Sequence, residues 1–143
     1  LDVSNFDTSQ VWNMCGMFSY CSGLTSLDVS NFNTSQVTNM KAMFSGCDGL
    51  TSLDVSNFDT SHVMDMCYMF HLCNGLTTIY VSEYNSETKK GWTTINVRNS
   101  LTMFDSCTKL VGGNGTKFSS SYTDKTYARI DTASTPGYLT KKN

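Results

Sequence analysis

The chain repeats one sequence pattern every 26 residues, and this period constrains its fold more than any other feature. The segment Leu-Asp-Val-Ser-Asn-Phe that begins at Leu1 returns at Leu27 and again at Leu53. Each copy continues into a Met-x-x-Met-Phe motif and then into Cys-x-Gly-Leu. A unit this short cannot bury its own apolar face, so successive copies must stack on one another. The period therefore predicts a solenoid stabilised by contacts between neighbouring repeats.

Apolar residues recur at fixed positions of the repeat, and stacking would align them in columns. Each member contributes roughly 1.5–3 kcal/mol if it is fully buried, so the columns together can replace a globular core. The predicted core columns are Leu1/Leu27/Leu53, Val3/Val29/Val55, Phe6/Phe32/Phe58, Val11/Val37/Val63, Met14/Met40/Met66, Met17/Met43/Met69, Phe18/Phe44/Phe70, Cys21/Cys47/Cys73 and Leu24/Leu50/Leu76.

Two hydrophobic periods alternate within each repeat. Leu27 and Val29 alternate with polar residues, which is typical of a half-buried strand, and we expect strands at 26–29, 52–55 and 78–81. From Val37 to Cys47 the apolar residues are three or four apart, which is typical of a helix. A Thr-Ser pair before this stripe can serve as its N-cap and a glycine after it as its C-terminal cap. The predicted fold class is an α/β right-handed solenoid with short parallel strands.

A fourth, altered copy follows the three regular ones. Trp92 corresponds to Phe6 and Met103 begins its Met-Phe pair, so the offset from the first repeat has grown from 78 to 86 residues. The eight added residues are most simply placed within 83–91. Terminal repeats are often atypical because one of their sides faces solvent. We therefore predict repeats at 1–26, 27–52, 53–78 and 79–111, followed by a C-terminal capping segment at 112–143.

The repeat motif, together with a tail that runs from Leu110-Val-Gly-Gly-Asn-Gly-Thr to Pro136-Gly-Tyr, resembles the BspA-like leucine-rich repeats of bacterial surface proteins. The resemblance covers nearly the whole chain. It implies a leucine-rich repeat module at the cell surface or outside the cell, which attaches to proteins of a host or of other microbes. It supplies no catalytic residue and no ligand-contact motif to transfer to this chain.

The charge distribution and the apolar runs exclude two kinds of partner. The net charge is −2, but residues 1–78 carry −6 and residues 79–143 carry +4. The repeats therefore lack the Lys and Arg that nucleic acid requires. No apolar run approaches the ~20 residues that span a bilayer, so direct membrane insertion is not expected. The chain begins within the repeat pattern, which suggests a fragment of a longer array. It is then left open whether targeting or anchoring sequence lies upstream.

The residue inventory does not favour an enzyme. His62 and His71 are the only histidines, and neither has a nucleophile or metal ligand near it in the sequence. Catalysis needs a convergent pocket, whereas stacked repeats offer a surface. We predict no catalytic activity, no cofactor and no metal site.

The six cysteines divide into two groups. Cys21, Cys47, Cys73 and Cys107 fall in the buried stripe and are expected to be free apolar residues there. Cys15 and Cys67 fall outside it and are expected to face solvent. They lie two repeats apart, about 10 Å by strand spacing, which is too far for a bridge. Any disulfide that they form would therefore be intermolecular.

Two sets of outward-facing residues are candidate partner-binding sites. One is an aspartate column on the strand face, whose alternative role is to keep that face soluble. The other consists of large apolar residues at positions where the second repeat has small or charged ones, and the alternative is that flanking chain or the tail folds over part of them. Trp and Tyr are favoured anchors of protein interfaces. The candidates are Asp2, Asp28 and Asp54 in the first set and Trp12, Tyr20, Met64, Tyr68 and Leu72 in the second.

The predicted partner is a protein, supplied by a host, by a microbe or by another copy of this chain. The expected function is adhesion-type protein binding. The alternative is a structural building block whose copies assemble into a homo-oligomer, a filament or a surface layer.

Overall fold

The computed structural model describes residues 1–143 as a stack of repeats built largely from turns. Strands β1 (Ser52–Asp54), β2 (Thr78–Val81) and β3 (Leu139–Lys141) form one parallel sheet in the order β1-β2-β3. A single 3-10 helical turn lies at Lys125–Tyr127. There is no α-helix, and hence no helix long and apolar enough to cross a membrane. The predicted α/β leucine-rich repeat solenoid is therefore wrong in its fold class.

Tight turns with left-handed residues take the place of the predicted helices. The N–H of Met17 donates to the C=O of Met14, and the N–H of Cys21 donates to that of Phe18. The third residue of each of these four-residue turns has a positive φ, as position i+2 of a type II turn requires. A right-handed helix cannot pass through a residue with positive φ. The positive-φ residues of these turns are Gly16, Tyr20, Ala42, Gly46, Tyr68, Leu72, Thr102 and Ser106.

Every second N–H of this turn segment donates to the next repeat. The bonds recur in the same register between the first and second, second and third, and third and fourth repeats. They give the segment a ladder with a period of two, although its apolar residues are spaced three or four apart. In the first repeat the donors are Met14, Gly16, Phe18 and Tyr20, and their acceptors are the carbonyl groups of Asn39, Lys41, Met43 and Ser45 at 2.6–2.9 Å.

The strand predictions hold only towards the C-terminal end. The strand at 78–81 is confirmed, and β1 ends one residue before the predicted limit at 55. Leu53 pairs with Ile79 in the parallel register expected for residues one repeat apart. The third predicted strand, at 26–29, is absent because this segment makes no ladder hydrogen bonds to β1. The sheet instead extends from β2 to β3 in the tail.

The apolar columns form one continuous core, as the repeat pattern predicts. Phe18, Phe44, Phe70 and Phe104 stack in sequence with ring centroids 5.5–5.8 Å apart. Burial is weakest in the first repeat, where Leu1 is 73% exposed. Phe6 is 49% exposed, whereas Phe58 at the same position of the third repeat is 0% exposed.

Polar side chains connect the repeats beside the apolar columns. The Asn57 amide donates to the C=O groups of Val29 and Phe32 in the second repeat. Thr34 has a different role from the predicted N-cap. Its hydroxyl donates to the C=O of Asp59 and accepts from the Asp59 N–H, at 2.9 and 2.8 Å. The threonine therefore joins two repeats and begins no helix.

The inserted residues of the fourth repeat lie in an exposed loop. The N–H of Asn85 donates to the C=O of Lys90 at 2.8 Å, and the N–H of Lys89 donates back to the C=O of Asn85 at 2.7 Å. Trp92 then rejoins the stack, where its indole N–H donates to the C=O of Ala128 at 2.9 Å. The insertion is accommodated outside the core, within the segment 83–91 where the sequence places it.

Residues 112–143 cover the outer side of the fourth repeat. Tyr138 is buried and meets Phe104, the last ring of the phenylalanine stack, edge-on at 5.1 Å. Its hydroxyl donates to the C=O of Tyr122 at 2.8 Å and accepts from the N–H of Ser119 at 3.1 Å. The tail thus ends the phenylalanine stack with a ring whose polar group is satisfied.

The cysteine column is buried except at its first member. The Sγ atoms of Cys47, Cys73 and Cys107 donate to the C=O of the phenylalanine one repeat earlier, at 2.9–3.1 Å. Burial raises the pKa of Cys47 to about 11 and of Cys107 to about 12, and it also raises the pKa of Cys73. Cys21 is half-buried and makes no such bond.

Of the two cysteines expected to face solvent, only Cys15 is exposed. Cys67 is half-buried, and this burial raises its thiol pKa. The prediction for Cys67 is therefore only partly correct, because Cys67 lies inside the stack whereas Cys15 lies in the end repeat.

We expect brief alkylation of the native protein at neutral pH to label Cys15 fastest and Cys47, Cys73 and Cys107 slowest. The thiolate is the reactive form, and burial both hides the thiol and disfavours ionisation. Mass spectrometry of peptides after timed labelling gives the rate for each cysteine, with unfolded protein as the reference. Equal rates for Cys15 and Cys73 in the native protein would contradict the buried column.

Candidate functional site

Trp12 begins a column of residues along one side of the stack. The N–H of Thr38 donates to the C=O of Trp12 at 2.9 Å, and the N–H of Met64 donates to the C=O of Thr38 at 2.8 Å. The N–H of Arg98 continues the series to the C=O of Met64 at 2.9 Å. These four residues are named the Trp12 column. Because paired backbones lie about 4.8 Å apart, the column extends for roughly 15 Å.

The Trp12 column combines exposure with a groove. Trp12 is 63% exposed, whereas Trp92 in the core is 6% exposed. Thr38 is smaller than its neighbours, and a groove of about 250 Å³ lies along the column between Thr38 and Arg98. Aromatic residues, Met and Arg are all enriched at protein interfaces. The groove is lined by Thr38, His62, Met64, Asn96 and Arg98.

The structure places the other predicted apolar residues in different columns. Tyr20 and Leu72 share one position of the repeat, with Gly46 between them. Tyr20 is exposed, and its ring lies against Gly46 so closely that a Cβ there would be 2.6 Å from a ring carbon. The small residue in the second repeat therefore makes room for Tyr20. Part of the variation between repeats reflects packing between neighbours.

Tyr68 lies in a third column and is half-buried. Its ring meets the His71 imidazole edge-on, with centroids 5.5 Å apart, and His71 Nε2 is 3.5 Å from an Asp105 carboxylate oxygen. The five predicted apolar residues are therefore not one continuous patch. Trp12 and Met64 are the pair that the structure brings into one column.

The aspartates of the strand face have a structural role. Asp2, Asp28 and Asp54 each accept a hydrogen bond of 2.9 Å from the N–H of the serine two residues later. At Asp2 and Asp28, hydrogen bonds from these serines lower the carboxyl pKa. Such bonds fix the turn after each strand position. No group of three or more His, Cys, Asp or Glu side chains is arranged to hold a metal ion.

Asp54 differs from the other two because the tail reaches it. The Lys142 ammonium lies 2.9 Å from its carboxylate and 4.9 Å from the Tyr80 ring centroid. Partial burial raises the pKa of Asp54, but hydrogen bonds from Ser56 and Lys142 outweigh that effect and lower it. Asp2 and Asp28 remain exposed, so the three aspartates are not equivalent as partner sites.

Three exposed residues of the fourth repeat were not among the predicted candidates. Arg98 completes the Trp12 column, and the offset of 86 residues between Phe6 and Trp92 already aligns Arg98 with Trp12. Ile95 and Leu101 are large apolar residues exposed outside this column. At the same offset Leu101 aligns with Cys15, a position already expected to face solvent, whereas Ile95 aligns with Ser9, where no regular repeat has an apolar residue.

Comparison with known proteins identifies a family but no function. No curated protein and no solved structure matches the chain. A family model described as "Mycoplasma protein of unknown function, DUF285" matches residues 1–110 and, in a second match, residues 54–135. The repeats of that family are related to BspA-like repeats in general. The stacked 26-residue repeats and this match together show that the chain belongs to the DUF285 family.

Proposed function

We propose that the chain is a protein-binding repeat module that acts at the cell surface or outside the cell. The observation that carries the proposal is the exposure of Trp12 at the start of a column that also holds Met64 and Arg98. Met14 and Phe18 in the same repeat are buried in the core, whereas Trp12 is 63% exposed. An exposed aromatic residue of this size costs solubility and gains its value when a partner covers it.

The shape and charge of the Trp12 column favour an extended protein segment as the partner. The column is roughly 15 Å long, which spans four or five residues of an extended chain. Trp12 can bury an apolar side chain at one end, and the exposed Arg98 guanidinium can pair with a carboxylate at the other. The proposed ligand is therefore a segment with an apolar residue and an acidic residue that are about four positions apart.

The proposal includes membership of the chain among the BspA-like surface repeats, a narrower relationship than the DUF285 match. The motif Leu-Asp-Val-Ser-Asn-Phe-Asp-Thr-Ser and the tail motif around Pro136-Gly-Tyr support membership among BspA-like surface repeats. Adhesion to host matrix proteins, to host cells or to other microbes, and the extracellular location, are proposed on this basis.

The test uses the double variant Trp12→Ser/Met64→Ser. Peptides that bind the wild-type chain are selected from a random display library, and a panel of purified extracellular matrix proteins is screened in parallel. We expect the double variant to bind the selected ligands at least about 30-fold more weakly, which corresponds to about 2 kcal/mol. Its melting temperature should stay within about 2 °C of the wild type, because both side chains are exposed.

The matched control is Ile95→Ser/Leu101→Ser, which removes two exposed apolar residues outside the Trp12 column. This control should retain wild-type affinity. If it loses as much affinity as the first variant, or if neither loses any, the Trp12 column is not the binding site. Sedimentation velocity of both variants at high concentration tests whether the partner is another copy of this chain. In that case self-association should be lost with Trp12→Ser/Met64→Ser and retained with Ile95→Ser/Leu101→Ser.

A further inference from the structure

Two hollows beside the Trp12 column share lining residues and form one channel along the stack. Their volumes are about 250 Å³ and about 210 Å³, and both are lined by Thr38 and His62. The first hollow continues to Arg98 in the fourth repeat, and the second continues to Gln36 in the second repeat. A chain bound in this channel therefore lies parallel to the stack and crosses successive repeats.

The other wall of the channel is a column of exposed polar residues two positions before the Trp12 column. One valine of the core separates the two columns in each repeat. The side-chain amides of Gln10 and Gln36 have no partner in the chain, and the indole N–H of Trp12 is also free, unlike that of Trp92. The channel therefore offers N–H donors to the carbonyl groups of a bound chain. The polar column consists of Gln10, Gln36, His62 and Asn96.

The two large apolar residues of the Trp12 column are two repeats apart. They are Trp12 and Met64, and the residue between them, Thr38, is small. Since hydrogen-bonded backbones lie about 4.8 Å apart, the two apolar side chains begin roughly 9.6 Å apart along the stack. A chain that contacts both must present apolar side chains on one face at this spacing.

This spacing matches a polyproline II helix and does not match a β-strand. A polyproline II helix has three residues per turn and rises about 3.1 Å per residue, so residues i and i+3 share one face about 9.3 Å apart. In a β-strand the residues of one face are two or four positions apart, which is about 6.7 Å or 13.4 Å. The carbonyl groups of a polyproline II helix make no internal hydrogen bonds, so they can accept from the free donors of the channel.

We propose that the Trp12 column and its channel bind a proline-rich segment of a partner protein in the polyproline II conformation. Apolar residues at positions i and i+3 of the segment contact Trp12 and Met64, and an acidic residue at i+4 pairs with the exposed Arg98. This inference rests on the proposed function of the Trp12 column and adds the conformation and composition of its ligand.

The test compares three synthetic peptides by isothermal titration calorimetry. The first, acetyl-Pro-Leu-Pro-Pro-Leu-Glu-Pro-amide, has leucines at i and i+3. The second, acetyl-Pro-Leu-Pro-Leu-Pro-Glu-Pro-amide, has the same composition with leucines at i and i+2. The third replaces each proline of the first by threonine, which favours β structure. We expect the first peptide to bind and the other two to bind at least about tenfold more weakly, because they lose the spacing or the preorganised conformation.

A matched variant of the protein moves the second apolar residue by one repeat. Thr38→Met/Met64→Thr keeps the composition of the column but places its apolar residues roughly 4.8 Å apart. It should bind the first peptide at least about tenfold more weakly, because only one leucine can then be covered. Its melting temperature should stay within about 2 °C of the wild type. Ile95→Ser/Leu101→Ser should bind this peptide with wild-type affinity.

The proposal would be overturned by equal binding of the first two peptides, by tighter binding of the threonine peptide or by unchanged affinity of Thr38→Met/Met64→Thr. Failure of the first peptide to bind would also overturn it. If the display-selected ligands still depend on Trp12 and Met64 in that case, the column binds segments of another conformation and the proposed function stands. If those ligands are also insensitive to Trp12→Ser/Met64→Ser, the proposed function fails as well.

Discussion

Phe58→Ala is expected to lower the free energy of unfolding by about 3–5 kcal/mol, the usual cost of removing a fully buried phenylalanine. Phe58 is 0% exposed and packs against Phe44 with ring centroids 6.5 Å apart. The repeats on both sides are held in fixed register by the N–H ladder, so they cannot close the cavity easily. Urea unfolding monitored by tryptophan fluorescence measures the change, with Trp92 as the buried reporter.

The chain supplies its own control at the same position of another repeat. Phe6 is 49% exposed, and Phe6→Ala should cost about 1 kcal/mol or less. The difference between the two variants measures what a neighbouring repeat contributes to one apolar column. Equal losses at Phe6 and Phe58 would show that the first repeat is packed as fully as the third, which contradicts the exposure of Phe6.

Asp131→Asn is expected to cost about 3 kcal/mol, since it replaces a buried carboxylate that holds the tail together. The two Asp131 carboxylate oxygens accept hydrogen bonds from Asn114, Thr116 and Gly137 at 2.7–3.2 Å. An amide at this position would direct its NH₂ group towards these donors. The control is Asp48→Asn, which removes an exposed carboxylate that accepts no hydrogen bond. The difference in thermal unfolding between the two variants isolates the contribution of the Asp131 hydrogen bonds.

The hydrogen bonds to Asp131 also predict that the stability of the protein depends on pH. Burial raises the pKa of Asp131, but the hydrogen bonds from Thr116, Asn114 and Gly137 outweigh it, and the folded-state pKa is lowered. The stabilisation by Asp131 is therefore complete above the unfolded pKa of about 3.9 and is lost as the pH falls through the folded value. The stability gap between wild type and Asp131→Asn should be constant from pH 7 to pH 5 and shrink below about pH 4. A gap that widens in acid would contradict this assignment.

The repeat period predicts the stack and its core because both follow from spacing alone. Residues 26 positions apart must align if the repeats align, so the burial of Val55, Phe58 and Met66 needs no further information. The helix prediction fails because a chain of i→i+3 turns also places apolar residues three or four positions apart. In these turns glycine marks the left-handed position only at Gly16 and Gly46, and the other six left-handed residues are Tyr20, Ala42, Tyr68, Leu72, Thr102 and Ser106.

The candidate site can be predicted only in part from the sequence, because most left-handed residues of the turns are not marked by glycine. The exposure of Trp12, Tyr20 and Met64 follows from their position outside the apolar columns and is confirmed. Their grouping depends on the direction of each turn, which the left-handed residues set. The ion pair between Asp54 and Lys142 joins groups from the third repeat and the chain terminus, and no local pattern indicates it.

The near-identity of the first three repeats makes their alignment degenerate during folding. If the second repeat were looped out, the third could dock on the first and retain most of the side-chain contacts of the correct frame. The fourth repeat and the tail do not remove this degeneracy, because the bond from Trp92 to Ala128 and the packing of Tyr138 on Phe104 both lie within that end and form in either frame. The looped-out frame has one repeat interface fewer. The correct frame is therefore favoured by the ladder and column contacts of that single interface.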